Sequence, residues 1–291
     1  MGELRKSWRR GIALALGLTA LAGMGITVAI KAHHDTMDDP LVRQAQVPLP
    51  GLNAPLKVLL VSDIHVAGPD MPPERLAHIV GELNRLNPDM VLIAGDFTSD
   101  KLISNRHYGN EEALAPLAGL HARLGTVAVL GNHDYYRGAK EVRATLEHLG
   151  IRVLVNEAAH VGPLTIGGMT DLSSKQARRA ETQDAMRKLG PPYVFLTHEP
   201  DSFPKLPADL HLMLAGHTHC GQISLPLIGP ILTGSEYGRR YACGLVHERD
   251  ATLIVGAGLG TSDLPFRFGA HSDVWLVTLT PAPLKVENAR P

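Results

Sequence analysis

The sequence predicts a layered α/β domain behind an N-terminal apolar segment. Three observations predict it. Short runs rich in Val, Ile and Leu recur along the chain, helical patterns lie between several of them, and a long uncharged stretch lies near the start. The runs cover residues 56–61, 90–94, 126–130, 151–155, 193–197, 210–215, 252–255 and 274–279. Strands buried on both faces read this way, as unbroken apolar runs bounded by turn residues. Pro73 and Glu74 open a helical pattern, with Leu76, Ile79, Val80, Leu83 and Leu86 on one face. Residues 111–124, 139–149 and 175–189 predict three more helices. Alternating strands and helices predict stacked layers. The C-terminal third is richer in strand-like runs, so part of the sheet is expected to be antiparallel.

The uncharged stretch spans residues 11–30. Twenty residues at helical rise reach about 30 Å, the thickness of a bilayer's hydrocarbon core. The stretch lacks the polar face that a buried soluble helix normally shows. Arg5, Lys6, Arg9 and Arg10 precede it, and Lys31 follows, then His33, His34, Asp35, Asp38 and Asp39. That asymmetry predicts a cytoplasmic N-terminus and a domain on the outer, periplasmic side of an inner membrane. An uncleaved signal anchor is favoured over a cleaved signal of twin-arginine type, because cutting after Ala22 would leave residues 23–30 exposed. The expected organisation is an anchor at 1–32, a Pro-containing linker at 33–55, the α/β domain at 56–281 and a tail at 282–291.

Composition narrows the function. Apolar residues make up 44% and charged residues 20% of 291, which excludes a disordered chain. Lys+Arg is 28 and Asp+Glu is 29, a net charge of -1, so no nucleic-acid partner is expected. Cys220 and Cys243 are too few for a disulfide scaffold. A single bridge between them and two free thiols are both open.

The polar residues at the strand ends carry the chemistry. The run 56–61 leads into Asp63-x-His65, and 90–94 into Gly95-Asp96. The run 126–130 leads into Gly131-Asn132-His133-Asp134, 193–197 into His198, and 210–215 into Gly216-His217-x-His219. In open α/β sheets the ligand crevice lies outside the carboxyl ends of the strands, so these groups are expected in one site. In extended backbone, residues two apart point the same way, so Asp63 with His65, and His217 with His219, are each expected to aim at one place. Imidazole, carboxylate and carboxamide without thiolate suit divalent ions such as Mn, Fe or Zn. Asp63, His65, Asp96, Asn132, His198, His217 and His219 exceed one ordinary site, which points to two ions sharing a carboxylate.

Taken in order, these blocks resemble the signature of calcineurin-like metallophosphoesterases over about residues 56–280. The extension through Cys220-Gly221-Gln222 and the later Gly258-Leu259-Gly260-Thr261-Ser262 are similar to a membrane-anchored bacterial branch. That branch holds UDP-2,3-diacylglucosamine hydrolase and exported envelope phosphoesterases. The resemblance implies an α-β-β-α sandwich and two divalent metal ions, with Mn the leading choice and Zn, Fe or Mg the others. It assigns Asp63, His65, Asp96 and His219 to one ion. It assigns Asp96, Asn132, His198 and His217 to the second, with Asp96 bridging. Two departures stand out: Asp100 falls one place later than the family's usual aspartate, and Cys220 stands where the branch usually has Gly.

The implied reaction is hydrolysis of a phosphodiester or pyrophosphate bond. His133, beside a ligand but not needed as one, is expected to protonate the leaving oxygen or stabilise charge on phosphorus. Asp134 is expected either to orient His133 or to cap a helix. The expected partners are the membrane and a membrane-lipid or envelope phosphoester substrate. A nucleotide-lipid substrate sits at the cytoplasmic leaflet, which conflicts with the topology read from charge. Arg106, His107, Tyr108, Arg239, Arg240 and Arg267 are candidate substrate contacts. The apolar stretch at 224–232 is expected to be a core hairpin, with contact to acyl chains or the bilayer as the other reading.

Overall fold

The computed structural model describes residues 2–283. Residues 284–291, most of the expected tail, lie outside the described residues. The chain runs α1 (Gly2–Met37), β1 (Leu41–Pro50), β2 (Leu56–Val61), α2 (Pro73–Arg85), β3 (Met90–Ala94), α3 (Asn110–Leu114), β4 (Thr126–Val129), α4 (Asn132–His148), β5 (Arg152–Val153), β6 (Glu157–Val161), β7 (Leu164–Met169), α5 (Arg179–Leu189), β8 (Tyr193–Thr197), β9 (Leu212–Ala215), β10 (Gly244–Glu248), β11 (Ala251–Val255) and β12 (Asp273–Ala282).

Two six-stranded sheets form the centre, in the orders β1-β12-β2-β3-β4-β5 and β10-β11-β9-β8-β7-β6. Their facing sides share one apolar layer, with Val58, Leu60 and Leu92 from the first sheet meeting Val194, Leu214 and Ile254 from the second. The outer face of the first sheet is covered by α2, α3 and α4 through Leu76, Ile79, Leu114, Val142 and Leu146. The outer face of the second packs on Met186 of α5 and on Phe203 and Tyr241. The layers are therefore α-β-β-α. Neighbours β2, β3 and β4 are parallel, as are β8 and β9. Pairs β12–β2 and β10–β11 are antiparallel.

Several expectations are corrected. Residues 41–50 are strand β1 rather than linker, paired in parallel with β12 from Leu41↔Asp273 to Pro50↔Ala282. Val47 and Leu49 are buried on alternate positions, which is strand periodicity. Pro48 and Pro50 are tolerated because β1 is an edge strand, where a missing N–H breaks no second ladder. The helix expected at 111–124 stops at Leu114 and tightens into a short 3-10 turn, Ala115–Gly119, which holds Pro116. The helix expected from 175 begins at Arg179.

Helix α1 is long and apolar enough to cross a membrane. Leu14, Leu16, Leu18, Leu21, Met24 and Ile26 are all exposed, so its apolar surface runs around the helix uncovered by the other described residues. The helix extends to Met37, beyond the expected anchor boundary, and its last turns dock on the domain. Lys31 pairs with Asp35 at 2.7 Å, and the Asp35 carboxylate accepts the Gly269 N–H at 2.9 Å. Arg75 of α2 donates to the carbonyls of Thr36 and Asp38.

Candidate metal centre

Both sheets send strand carboxyl ends to one edge. The first supplies Asp63, His65, Asp96, Asn132 and His133 after β2, β3 and β4. The second supplies His198, His217 and His219 after β8 and β9. The backbone there is unusual: φ is +49° at Asp63, +50° at His65, +56° at Asp96, +72° at His217 and +50° at His219. Non-glycine residues in this left-handed region carry a cost of about 1 kcal/mol or more, and such residues gather at functional sites. The pairs two residues apart are therefore not extended: Asp63 and His65 still converge, together with His219, whereas His217 and His219 part. His219 turns to His65, with Nε2 atoms 3.1 Å apart. His217 turns to His198, with Nδ1 3.1 Å from Nε2.

Glycine permits this crowding at two positions. Gly95 holds φ +87°. A Cβ on Gly216 would lie 2.4 Å from Asp63 Oδ2, so any side chain there displaces the carboxylate.

The donors form two groups joined at one oxygen. Asp96 Oδ2 lies 3.4 Å from His65 Nε2 and 3.1 Å from His198 Nε2. On one side His219 Nε2 is 3.6 Å from Asp63 Oδ1. On the other, His198 Nε2 is 3.1 Å from Asn132 Oδ1. All seven predicted ligand residues are thus brought together, and His133 also lies within the cluster beside His65 and Asp96.

The donor chemistry fits cations. Ala94 O can only accept, so the His198 Nδ1 at 2.7 Å carries the hydrogen and Nε2 is bare when the ring is neutral. Gly234 O likewise takes the His217 Nε2–H at 3.1 Å, leaving Nδ1 bare. With both rings neutral, as metal ligation requires, lone pairs of Asp96, Asn132, His198 and His217 converge with no hydrogen between them. Such an arrangement asks for a positive charge at its centre.

Electrostatics follow from burial. Burial pushes the Asp63 carboxyl up to about 6. Burial also raises Asp96, but the His198, His65 and His133 imidazoles outweigh it and hold that carboxyl below the usual range. Burial lowers His65 and His219 well below an ordinary imidazole, and with His198 nearby it lowers His217 to about 4. These shifts favour the neutral imidazole, the state a ligand needs. His198 moves the other way: Asp96 overcomes the burial penalty and raises it.

His133 shifts in the opposite direction from His65, His217 and His219. Burial would lower it, but Asp96 and Asp100 raise it above the ordinary value. Its Nδ1 contacts the Asp100 carboxylate. Asp134 does not orient it. The Asp134 carboxylate instead accepts the N–H groups of Gly131, Asp96, Phe97 and Thr98 at 2.9–3.2 Å, tying the β3 and β4 loops at the start of α4. Asp100 occupies the place beside the His133 ring expected of Asp134.

Other candidates take structural partners. Arg267 is fully buried and donates to backbone carbonyls of Ala257 and Gly260, so it supports the loop beside His219 rather than meeting solvent. Arg240 pairs with Glu248 and Arg106 with Glu112. Leu227, Ile228, Ile231 and Leu232 are exposed, so residues 224–232 are no core hairpin. Cys220 and Cys243 form a disulfide, so Cys220 offers no thiolate to a metal. That bridge closes a separation of 23 residues beside His219. Replacing Cys243 with Ser is expected to cost about 3 kcal/mol of stability, read as a lower urea midpoint than the oxidised parent; an unchanged midpoint would remove the bridge from the fold's support.

Comparison with known proteins agrees with this geometry. The calcineurin-like phosphoesterase family model matches residues 56–221. An uncharacterised metallophosphoesterase of Helicobacter pylori is 29% identical over 258 residues, covering 86% of this chain and 67% of that protein. One from Bacillus subtilis is 29% identical over 286 residues, covering 94% of this chain and 97% of that one. A zebrafish (Danio rerio) protein named as a transmembrane protein with metallophosphoesterase domain is 30% identical over 294 residues, and this chain spans 63% of its length. With the strand-end blocks inside the matched segment and the donor atoms gathered at one sheet edge, the chain belongs to the calcineurin-like phosphoesterase family.

Proposed function

We propose that the protein is a dinuclear, divalent-metal-dependent phosphoesterase that hydrolyses a phosphodiester or pyrophosphate bond in a membrane-associated substrate. The observation that carries this is the single Asp96 oxygen set between His65 and His198. In this reading Asp63, His65 and His219 hold one ion and Asn132, His198 and His217 the other, with Asp96 shared. Mn is the proposed metal. Two such ions, when bound, supply positive charge that acidifies water and grips phosphoryl oxygens.

The chain's own residues do the rest. Asp100 accepts from His133 Nδ1, which leaves Nε2 to deliver a proton to the leaving oxygen. The Asp96 and Asp100 carboxylates, by raising His133, favour the protonated ring that this step needs. Removing Asp100 removes one of the charges that raise His133. The alkaline limb of the Asp100→Asn pH–rate profile is therefore expected to move to lower pH, with the metal content unchanged. An unmoved limb would detach Asp100 from the proton transfer.

The anchor and the basic residues before it support a domain on the outer face of an inner membrane. The disulfide supports the same side, since such bonds persist in oxidising compartments. A lipid-linked phosphoester of the UDP-2,3-diacylglucosamine kind fits the anchor, and an envelope phosphoester fits the topology. The test is Mn-supplemented hydrolysis of a generic phosphodiester, UDP-2,3-diacylglucosamine and nucleic acid side by side. Hydrolysis of the generic diester and of a lipid-linked substrate is expected, without nuclease activity. Nucleic acid as the preferred substrate would overturn the reading.

A further inference from the structure

We propose that the apolar rim of the metal-centre pocket rests on the same bilayer that α1 enters, so that the pocket opens at the level of the lipid head groups. This rests on the reading above of α1 as an anchor and of the pocket as a phosphoester site. The pocket has a volume of about 480 Å³. Asp96, His133 and His217 line its floor, while Ile231 and Leu232 line its wall. The wall belongs to a short hairpin in which Ser224 pairs with Pro230 and Leu225 with Gly229.

The hairpin exposes its apolar side chains. Leu227 is fully exposed, Leu232 is 78% exposed, and Ile228 and Ile231 are more than half exposed. Phe266 adds an exposed ring from the neighbouring loop. So many large apolar groups around one pocket mark a contact surface.

The anchor specifies what covers it. Lys31, the first charge after the apolar run, sits with its Nζ 5.4 Å from the centre of the Phe268 ring. Asp35 holds the Gly269 N–H at 2.9 Å, and Thr36 Oγ1 holds the Arg267 N–H at 2.6 Å. The same strip carries the hairpin: Ser224 N–H donates to Phe268 O at 2.7 Å, and Phe268 N–H to Gln222 O at 2.9 Å. From Lys31 to Thr36 a helix rises about 7.5 Å, and a head-group layer is about 5–8 Å deep. The hairpin root therefore lies at head-group depth. The Cys220–Cys243 bridge closes the segment that contains the hairpin, fixing it beside His219.

Full-length protein in vesicles of brominated phosphatidylethanolamine and phosphatidylglycerol tests the contact. Leu227→Trp is compared with the parent, which has two Trp of its own, and with His121→Trp near the amino ends of β3 and β4. Quenching of the added Trp at 227 but not at 121 is expected. No quenching at 227, including because a second copy of the chain covers the rim, overturns the proposal. In parallel, the double variant Leu227→Asp with Ile228→Asp is expected to lose about tenfold in kcat/KM on a vesicle-embedded phosphodiester and to keep its rate on a soluble one. Equal rates on both substrates, parent and variant alike, would also overturn it. If neither protein hydrolyses either substrate, the phosphoesterase reading falls, and the quenching still decides the surface.

Discussion

Asp96→Ala is expected to lose metal and activity together. One Asp96 oxygen stands between His65 and His198, and the other accepts the His133 backbone N–H at 2.9 Å. Its removal takes a donor from both halves of the centre and leaves several buried imidazoles facing one another. Hydrolysis should fall to background, and metal analysis of the purified variant should show both ions depleted. Asp96→Asn, which keeps the shape and one acceptor oxygen, separates ligand loss from misfolding. It should fold as the parent does and still bind metal poorly. Either variant retaining full metal content and rate would remove Asp96 from the shared position.

His133→Ala is expected to behave differently, keeping metal while losing turnover. A general acid contributes about 10²–10⁴-fold, so a loss of that size in kcat is expected. Alanine retains the backbone N–H that steadies Asp96, so the centre beneath should stand. Metal analysis and single-turnover rates on the same preparation check both halves. A near-parental rate would show that the proton comes from elsewhere, and concurrent metal loss would make His133 a ligand.

Much of this site was legible in the sequence because of how buried parallel strands read. Runs such as 90–94 and 193–197 match β3 and β8 residue for residue, since a strand covered on both faces has no polar positions until it ends. The polar residue that breaks each run is then the group at the sheet edge. β1 was less legible because prolines read as linker unless the strand is known to lie at an edge. β6 and β7 were missed for a related reason: Gly167 and Gly168 interrupt the apolar run of β7, and β6 is only partly buried.

Side-chain partnerships were the least legible. Nothing in the motif spacing distinguishes Asp100 from Asp134 as the partner of His133. The choice is made by Asp134 spending its oxygens on four backbone N–H groups. The left-handed backbone at Asp63 and His219 was equally invisible, because extended geometry predicts convergence there too, through the wrong conformation. The two cysteines carried no distance in sequence, and the fold brings them together across the hairpin.

Manganese titration of chelator-stripped, full-length protein, with binding and phosphodiester hydrolysis followed in one experiment, tests the dinuclear centre most directly. Two ions bound per chain are expected, with hydrolysis rising only as the second fills. Activity that survives complete metal removal, or that saturates with binding at a single ion, would contradict it.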